Sequence, residues 1–176
     1  KTTISNKEAK INNNNVSHTL RLGLIVKDKK NYNITPLGKK YLEGKIDNFK
    51  LVNDTFGHDV GDLLLKKVVS RIKGCLRGNE IFARVGGDEF SIMLSNLQSS
   101  EQAGQVAQRI VSVMYKPFEI SSTSIHTTLS VGISLYPDNG RSSSTLFKYA
   151  DIAMYRAKQQ GRNQICFFEE EMQKKF

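Results

Sequence analysis

The sequence predicts an α/β fold. Three observations carry that expectation: amphipathic helical stretches alternate with short strand-like runs from about residue 60 onward, a Gly86-Gly87 pair joins two of those runs as a hairpin, and 176 residues with 39% apolar content suit one ordinary domain plus a small appendage. The chain divides between residues 44 and 45, into a basic N-terminal segment over 1–44 and a main domain over 45–176.

Residues 1–15 are polar and end in Asn12-Asn13-Asn14-Asn15, which reads as a disordered lead or a loop. Ser17 is a candidate N-cap for a short helix, and Leu24-Ile25-Val26 has strand character. Pro36-Leu37-Gly38-Lys39-Lys40-Tyr41-Leu42 reads as a helix start, too charged and glycine-interrupted for a central strand. Residues 53–61 read as a loop. A helix follows over about 60–77, where Leu64, Leu65, Val68, Val69, Ile72 and Leu76 recur at three- and four-residue spacing, with Asp62 in its first turn. Strands are expected over 81–85 and 90–94, a helix over about 100–115, strands near 117–120 and 124–136, a helix over about 144–159 and a last strand over 164–168. The tail from Glu169 reads as a frayed helix.

The formal net charge is +9, and residues 1–44 hold nine Lys and Arg against three Asp and Glu, so most of the excess is N-terminal. That imbalance fits a nucleotide site in the main domain and makes the N-terminal segment a candidate DNA contact, although a solvated Lys-rich surface is the preferred reading of charge alone. No run reaches the roughly eighteen apolar residues of a membrane span, and the N-terminus lacks a signal-peptide core, so a cytoplasmic location is expected. Cys75 and Cys166 stand singly, without metal-ligand spacing, and are expected as reduced, buried thiols.

Candidate chemistry gathers at three places. Gly86-Gly87-Asp88-Glu89 sets two acids beside a turn whose glycines admit positive φ and close backbone approach, a donor set that suits Mg²⁺ together with phosphate oxygens. An exposed turn with charged flanks is an equal reading of that string alone. Lys158 and Arg162 flank a glycine stop at a helix C-terminus, as surface cations or as phosphate ligands. Asn53 and Asp62 read either as a turn asparagine and a helix-capping acid or as a pair matching the donors and acceptors of guanine.

Taken together, the stretches IDNFKLVNDTFGHDVGDLLL, ARVGGDEFSIML, LSVGISLYP and YADIAMYRAKQQGRN follow one another in the order and spacing of GGDEF domains, and the chain resembles that family over about residues 45–168. The resemblance implies a palm-like mixed sheet of about five strands with flanking helices, of the nucleotidyl-cyclase type. It also implies a diguanylate cyclase that condenses two GTP into cyclic di-GMP, releasing pyrophosphate, as a homodimer with Mg²⁺ or Mn²⁺. By position, Asn53 and Asp62 match the guanine-recognising pair, Gly86 and Gly87 shape the hairpin beside the triphosphate, and Lys158 and Arg162 match the cations on the terminal phosphates. Asp88 and Glu89 match the catalytic and metal-binding acids, with Glu89 the firmer ligand and Ile46 contributing through its backbone. Residues 16–44 resemble part of a winged-helix domain: a recognition helix, a two-stranded wing and a following helix.

Three departures from the family pattern stand out. Where the family opens its first motif with Asp-x-Asp, this chain has Lys45-Ile46-Asp47, and an ammonium repels a metal ion. Asp47 lies about 6.5–7 Å further along a strand, too far to replace the missing ligand under octahedral geometry. Lys45 standing in the metal's place, with GTP binding kept and catalysis lost, is the preferred picture. The family's first helix and apolar first strand are missing, so either a substitute strand such as 22–27 completes the sheet or the sheet is incomplete. The product-inhibition motif Arg-x-x-Asp appears as Arg77-Gly78-Asn79-Glu80, which leaves an inhibitory cyclic di-GMP site open beside the reading of a salt-bridged helix end. Beside the impaired cyclase stand two other readings: a degenerate GTP or cyclic di-GMP binding module, and a nucleic-acid-binding protein acting through its basic N-terminus.

Overall fold

A computed structural model describes residues 25–28, 31–34, 40–78, 80–95 and 97–175, with side-chain surroundings from residue 42 to residue 173. The helix expected after Ser17, and Pro36 itself, lie outside the described residues.

Five strands form one mixed sheet: β3 (Lys40–Ile46), β4 (Ile81–Gly86), β5 (Glu89–Leu94), β8 (Leu129–Leu135) and β9 (Ile165–Phe167), in the spatial order β4-β5-β3-β8-β9. All neighbouring pairs are antiparallel except β8 and β9. Outside it, β1 (Ile25–Asp28) pairs with β2 (Asn31–Ile34), and β6 (Phe118–Ile120) with β7 (Thr123–Ile125). The helices are α1 (Phe49–Phe56), α2 (His58–Lys73), α3 (Ser100–Val113) and α4 (Ser143–Gln159), with a 3₁₀ turn over Glu170–Lys175.

From Lys40 on, the stretch read as a helix start, and as unfit for a central strand, belongs to the central strand. β3 pairs with β5 on one side and β8 on the other, and it crosses the point between Gly44 and Lys45 where the sequence divides. Neither alternative for the missing strand holds: the described part of the proposed substitute, from Ile25 on, pairs with β2 outside the sheet, and the sheet has its five strands. The physical reason is that only one face of β3 is apolar. Leu42 and Ile46 are each 1% exposed in the main core, and a Cβ on Gly44 between them would meet Leu129 at ordinary contact distance. Glu43 and Lys45 alternate onto the other face. Residues 40–42, expected in the helix that follows a wing, are strand, so the winged-helix likeness is not supported even though β1 and β2 form a hairpin.

That two-faced character runs across the sheet. Leu42, Ile46, Phe90, Ile92, Leu129, Val131 and Ile133 point into a core closed by Leu64, Val68 and Ile72 of α2 and by Ala103, Ala107 and Ile110 of α3. The opposite face carries Ser91, Ser130, Gly132 and Ser134, and α4 lies on it. A Cβ on Gly132 would stand 2.0 Å from the Ala150 carbonyl oxygen and 2.2 Å from the Met154 nitrogen, so only glycine lets the helix backbone come this close. Ser134 ties the two layers by donating to the Leu146 carbonyl at 2.7 Å.

Two further expectations change. The loop read over 53–61 is mostly helix: α1 ends at Phe56 and α2 begins at His58, with Gly57 at φ 86° as the only break. The acid in the first turn of α2 is therefore Asp59, and Asp62 lies in the second turn. The long strand expected over 124–136 is two strands, β7 and β8.

Candidate active site

The site forms where β3 ends between the β4–β5 hairpin and β8. Gly87, at φ 46°, turns the hairpin, and its carbonyl accepts from Arg84 Nε at 2.8 Å. The Ile46 N–H donates to the Asp88 carbonyl at 3.1 Å, fastening the hairpin tip to the end of β3. Lys45 is directly opposite Glu89 in the strand register. Its ammonium consequently donates to Glu89 Oε1 at 2.8 Å and lies 3.4 Å from Asp88 Oδ1. The hydrogen bond to Glu89 is the chief cause holding the Lys45 pKa above its ordinary value, with burial working against it and the Asp88 charge adding to it. Side chains of Lys45 and Glu89 are 31% and 42% exposed, and an ion pair so open to water contributes roughly 1 kcal/mol or less.

Asp47, considered above for a metal role, is held in a hydrogen-bond network. It is 2% exposed, and its carboxylate accepts from Thr128 Oγ1 at 2.7 Å, from Ser130 Oγ at 2.9 Å and from the Asn163 N–H at 3.3 Å. Its carbonyl accepts from Thr127 Oγ1 at 2.7 Å. These bonds tie β3 to β8 and to the exit of α4, and they occupy both carboxylate oxygens.

Lys158 is in the last turn of α4. Burial pushes its pKa down, the Lys45 charge adds to that, and Asp47, Asp88 and Glu89 oppose it, so it lies in the field of the acidic hairpin. Arg162 is exposed at φ 64°, with its N–H on the Ala157 carbonyl at 3.1 Å; its neighbour Asn163 is the residue bonded to Asp47. The hairpin acids, Lys45 and Lys158 are thus brought together, with Arg162 one turn beyond.

Asn53 lies at the corner of α1 and α2. A Cβ on Gly61 would stand 1.8 Å from Asn53 Oδ1, so Gly61 is what admits the asparagine, and Asp62 is the next residue. That Oδ1 is buried against Gly61 and accepts no hydrogen bond. Arg77 and Glu80 lie at the opposite end of β4 from the turn, where Glu80 Oε2 accepts from the Arg77 N–H at 2.7 Å.

Two acids missed in the sequence belong to the same region. Glu43 is 4% exposed on the α4 side of β3, and burial raises its pKa well above the usual carboxylate range. Asp151 precedes Lys158 by two helical turns on α4; burial, then the Glu89 charge, raises its pKa, while Lys158 and Lys45 lower it. Reading β3 as a strand would have exposed Glu43, since i and i+2 share a face, and the seven-residue spacing on α4 would have exposed Asp151.

Mg²⁺ takes carboxylate oxygens, which Asp88 and Glu89 offer, together with phosphate oxygens from a nucleotide. The Lys45 ammonium rests on both, and among the described residues no three His, Cys, Asp or Glu side chains are grouped to hold a metal ion. The donor set fits a divalent cation only where Lys45 has moved away. No helix among the described residues is long and apolar enough to cross a membrane.

The family model described as the diguanylate cyclase GGDEF domain matches residues 41–164. The chain is 43% identical over 127 residues to the bifunctional diguanylate cyclase/cyclic di-GMP phosphodiesterase MucR of Pseudomonas aeruginosa, covering 72% of this chain and 18% of that protein. It is 43% identical over 136 residues to the cyclic di-GMP phosphodiesterase PdeR of Escherichia coli, covering 77% of this chain and 20% of that one. The chain therefore spans about a fifth of the length of these relatives. Among solved structures, the GGDEF domain of YfiN (TpbB) from Pseudomonas aeruginosa superposes with a TM-score of 0.74 at 37% identity, covering 76% of this chain and 83% of that domain. The GGDEF domain of DgcB from Caulobacter crescentus, solved with cyclic di-GMP, is 26% identical at a TM-score of 0.66, covering 74% of this chain and 78% of that one. With its family model matched over most of its length and these relatives beside it, the chain belongs to the diguanylate cyclase GGDEF family.

Proposed function

We propose that this chain is a GTP-binding GGDEF domain of cyclic di-GMP signalling in which the Lys45 ammonium stands where the family places a metal ion, so that GTP is held without a divalent cation and cyclase activity is strongly impaired. The observation that carries this reading is the 2.8 Å contact of Lys45 Nζ with Glu89, with Asp88 at 3.4 Å. A cation fixed there, beside Lys158 and Arg162, neutralises triphosphate charge as a point charge does. The buried, unpartnered Asn53 Oδ1 beside Asp62 supports guanine as the base. Cyclic di-GMP is the product or ligand suggested by the relatives' names. Homodimerisation remains the requirement that two-GTP condensation imposes, and a cytoplasmic location follows from the substrate.

The test is a paired measurement on the chain as it stands and on Lys45→Asp. Isothermal calorimetry should show GTP binding by the unchanged chain in EDTA, and a cyclase assay with Mg²⁺ or Mn²⁺ should show cyclic di-GMP formation rising at least tenfold in Lys45→Asp. Absence of guanine-nucleotide binding in both proteins would remove the proposal.

A further inference from the structure

Helix α4 leads into β9 through a left-handed turn. Gly161, Arg162 and Asn163 follow one another at φ 114°, 64° and 50°, so two residues that carry a Cβ stand side by side in the left-handed region. Glycine enters that region freely and asparagine tolerates it, whereas an arginine there has to be held by its surroundings.

The Ala157 carbonyl accepts from the Arg162 N–H at 3.1 Å and from Gln164 Nε2 at 2.8 Å, and Asn163 Nδ2 donates to the Tyr115 hydroxyl at 3.2 Å. The remaining hold comes from the end of the central strand, where Asp47 Oδ2 accepts from the Asn163 N–H at 3.3 Å. Asp47 is well placed to anchor the turn. It is 2% exposed, its N–H donates to the Thr128 carbonyl at 2.9 Å, and its carbonyl accepts from Thr127 Oγ1 at 2.7 Å, so the carboxylate cannot follow the turn if the turn relaxes. Its negative charge strengthens each bond it accepts.

We propose that Asp47 is a positioning residue for Arg162: its buried carboxylate latches the Asn163 N–H, keeps the Arg162–Asn163 pair left-handed, and thereby sets the Arg162 guanidinium against the terminal phosphates of GTP. The inference rests on the proposed reading of the site as a GTP site with Arg162 among its phosphate cations, and it involves no metal. The latch is the hydrogen bond rather than the charge. Oδ2 takes Thr128, Ser130 and Asn163, while Oδ1 takes the Ser130 hydroxyl, so an asparagine at this position can put its oxygen in the Oδ2 place and turn its amide to Ser130.

The experiment is a calorimetric GTP titration in EDTA on the unchanged chain, Arg162→Ala, Asp47→Ser, Asp47→Asn and the double variant Asp47→Ser with Arg162→Ala, with urea unfolding of each. Arg162→Ala and Asp47→Ser should each weaken GTP binding roughly tenfold, the scale of one charge-assisted hydrogen bond. The double variant should bind no more weakly than Arg162→Ala alone, because a latch with nothing left to position has no further effect, whereas an independent structural role gives losses that add. Asp47→Asn should stay closer to the unchanged chain than to Asp47→Ser. Four results would overturn the inference: full affinity in Asp47→Ser, full affinity in Arg162→Ala, additive losses in the double variant, or Asp47→Asn as weak as Asp47→Ser. Should Asp47→Ser fail to fold, Asn163→Val takes its place with the same expected loss, since a β-branched residue is excluded from the left-handed region and the bonds between β3 and β8 stay intact. Absent GTP binding by the unchanged chain sinks the proposed function and this inference together, whereas GTP binding with any of those four results sinks the inference alone.

Discussion

Replacing Gly61 by alanine should separate folding from nucleotide recognition. The new Cβ would lie 1.8 Å from Asn53 Oδ1, a distance no real pair of such atoms keeps, and 3.3 Å from Phe49 Cζ. Asn53 is a half-buried side chain, so it rotates away by more than an ångström rather than forcing the helices apart. Alanine in place of glycine inside a helix contributes about 1 kcal/mol. Moving a buried acceptor without a partner into water relieves a further fraction of the roughly 1–3 kcal/mol such a group costs. The tight Phe49 contact offsets part of this gain, so stability should be unchanged or higher by up to about 1 kcal/mol. Loss of one guanine hydrogen bond, about 1.4 kcal/mol, weakens GTP binding roughly tenfold. Urea unfolding and calorimetric GTP titration on the same sample give both numbers. Undiminished GTP affinity would refute the assignment of Asn53, and a clear loss of stability would refute the claim that Asn53 yields.

Other expectations follow from the same geometry. Gly132→Ala sets a Cβ against two backbone atoms of α4 that cannot rotate aside, so it should cost about 3 kcal/mol in urea unfolding, at the upper end for overpacking. Arg71 donates to the carbonyls of Val113, Lys116 and Pro117, and its guanidinium lies 3.6 Å over the Phe118 ring, so Arg71→Ala should destabilise by about 2–3 kcal/mol, with lysine a poor rescue because it lacks the planar fork. Glu43 is a carboxyl whose pKa is raised on folding, so its favourable contribution is present at acid pH and lost as pH rises from the ordinary carboxylate range through the raised value. Unfolding midpoints of Glu43→Gln should therefore climb relative to the unchanged chain as pH rises above the ordinary carboxylate range of about 4, and parallel curves would count against a buried, protonated Glu43.

The main domain was legible wherever one period dominated. Alternation through Phe90–Leu94 and a two-glycine turn made the hairpin readable, and the three- and four-residue spacing of Leu64, Leu65, Val68 and Ile72 marked α2. β3 was not legible, because a central strand is expected to be apolar on both faces and this one shows Glu43 and Lys45 to the site. α1 hid for another reason: Asn53, Asp54 and Thr55 favour turns locally, and only the burial of Phe49 and Val52 against α2 overrides that preference. The candidate residues Asn53, Asp62, Asp88, Glu89 and Lys158 were proposed through their motifs. The role of Asp47 was not, since its partners Thr128, Ser130 and Asn163 are distant in sequence and meet only when β8 and the α4 exit come together.

The two faces of the sheet are unequal. The larger apolar core lies under α2 and α3, whereas Lys45 and Glu89 project from the face that α4 covers. A charge reversal such as lysine for aspartate at position 45 consequently leaves the scaffold standing. Descendants of such a domain are free to trade turnover for sensing one residue at a time, without first having to survive an unfolded ancestor.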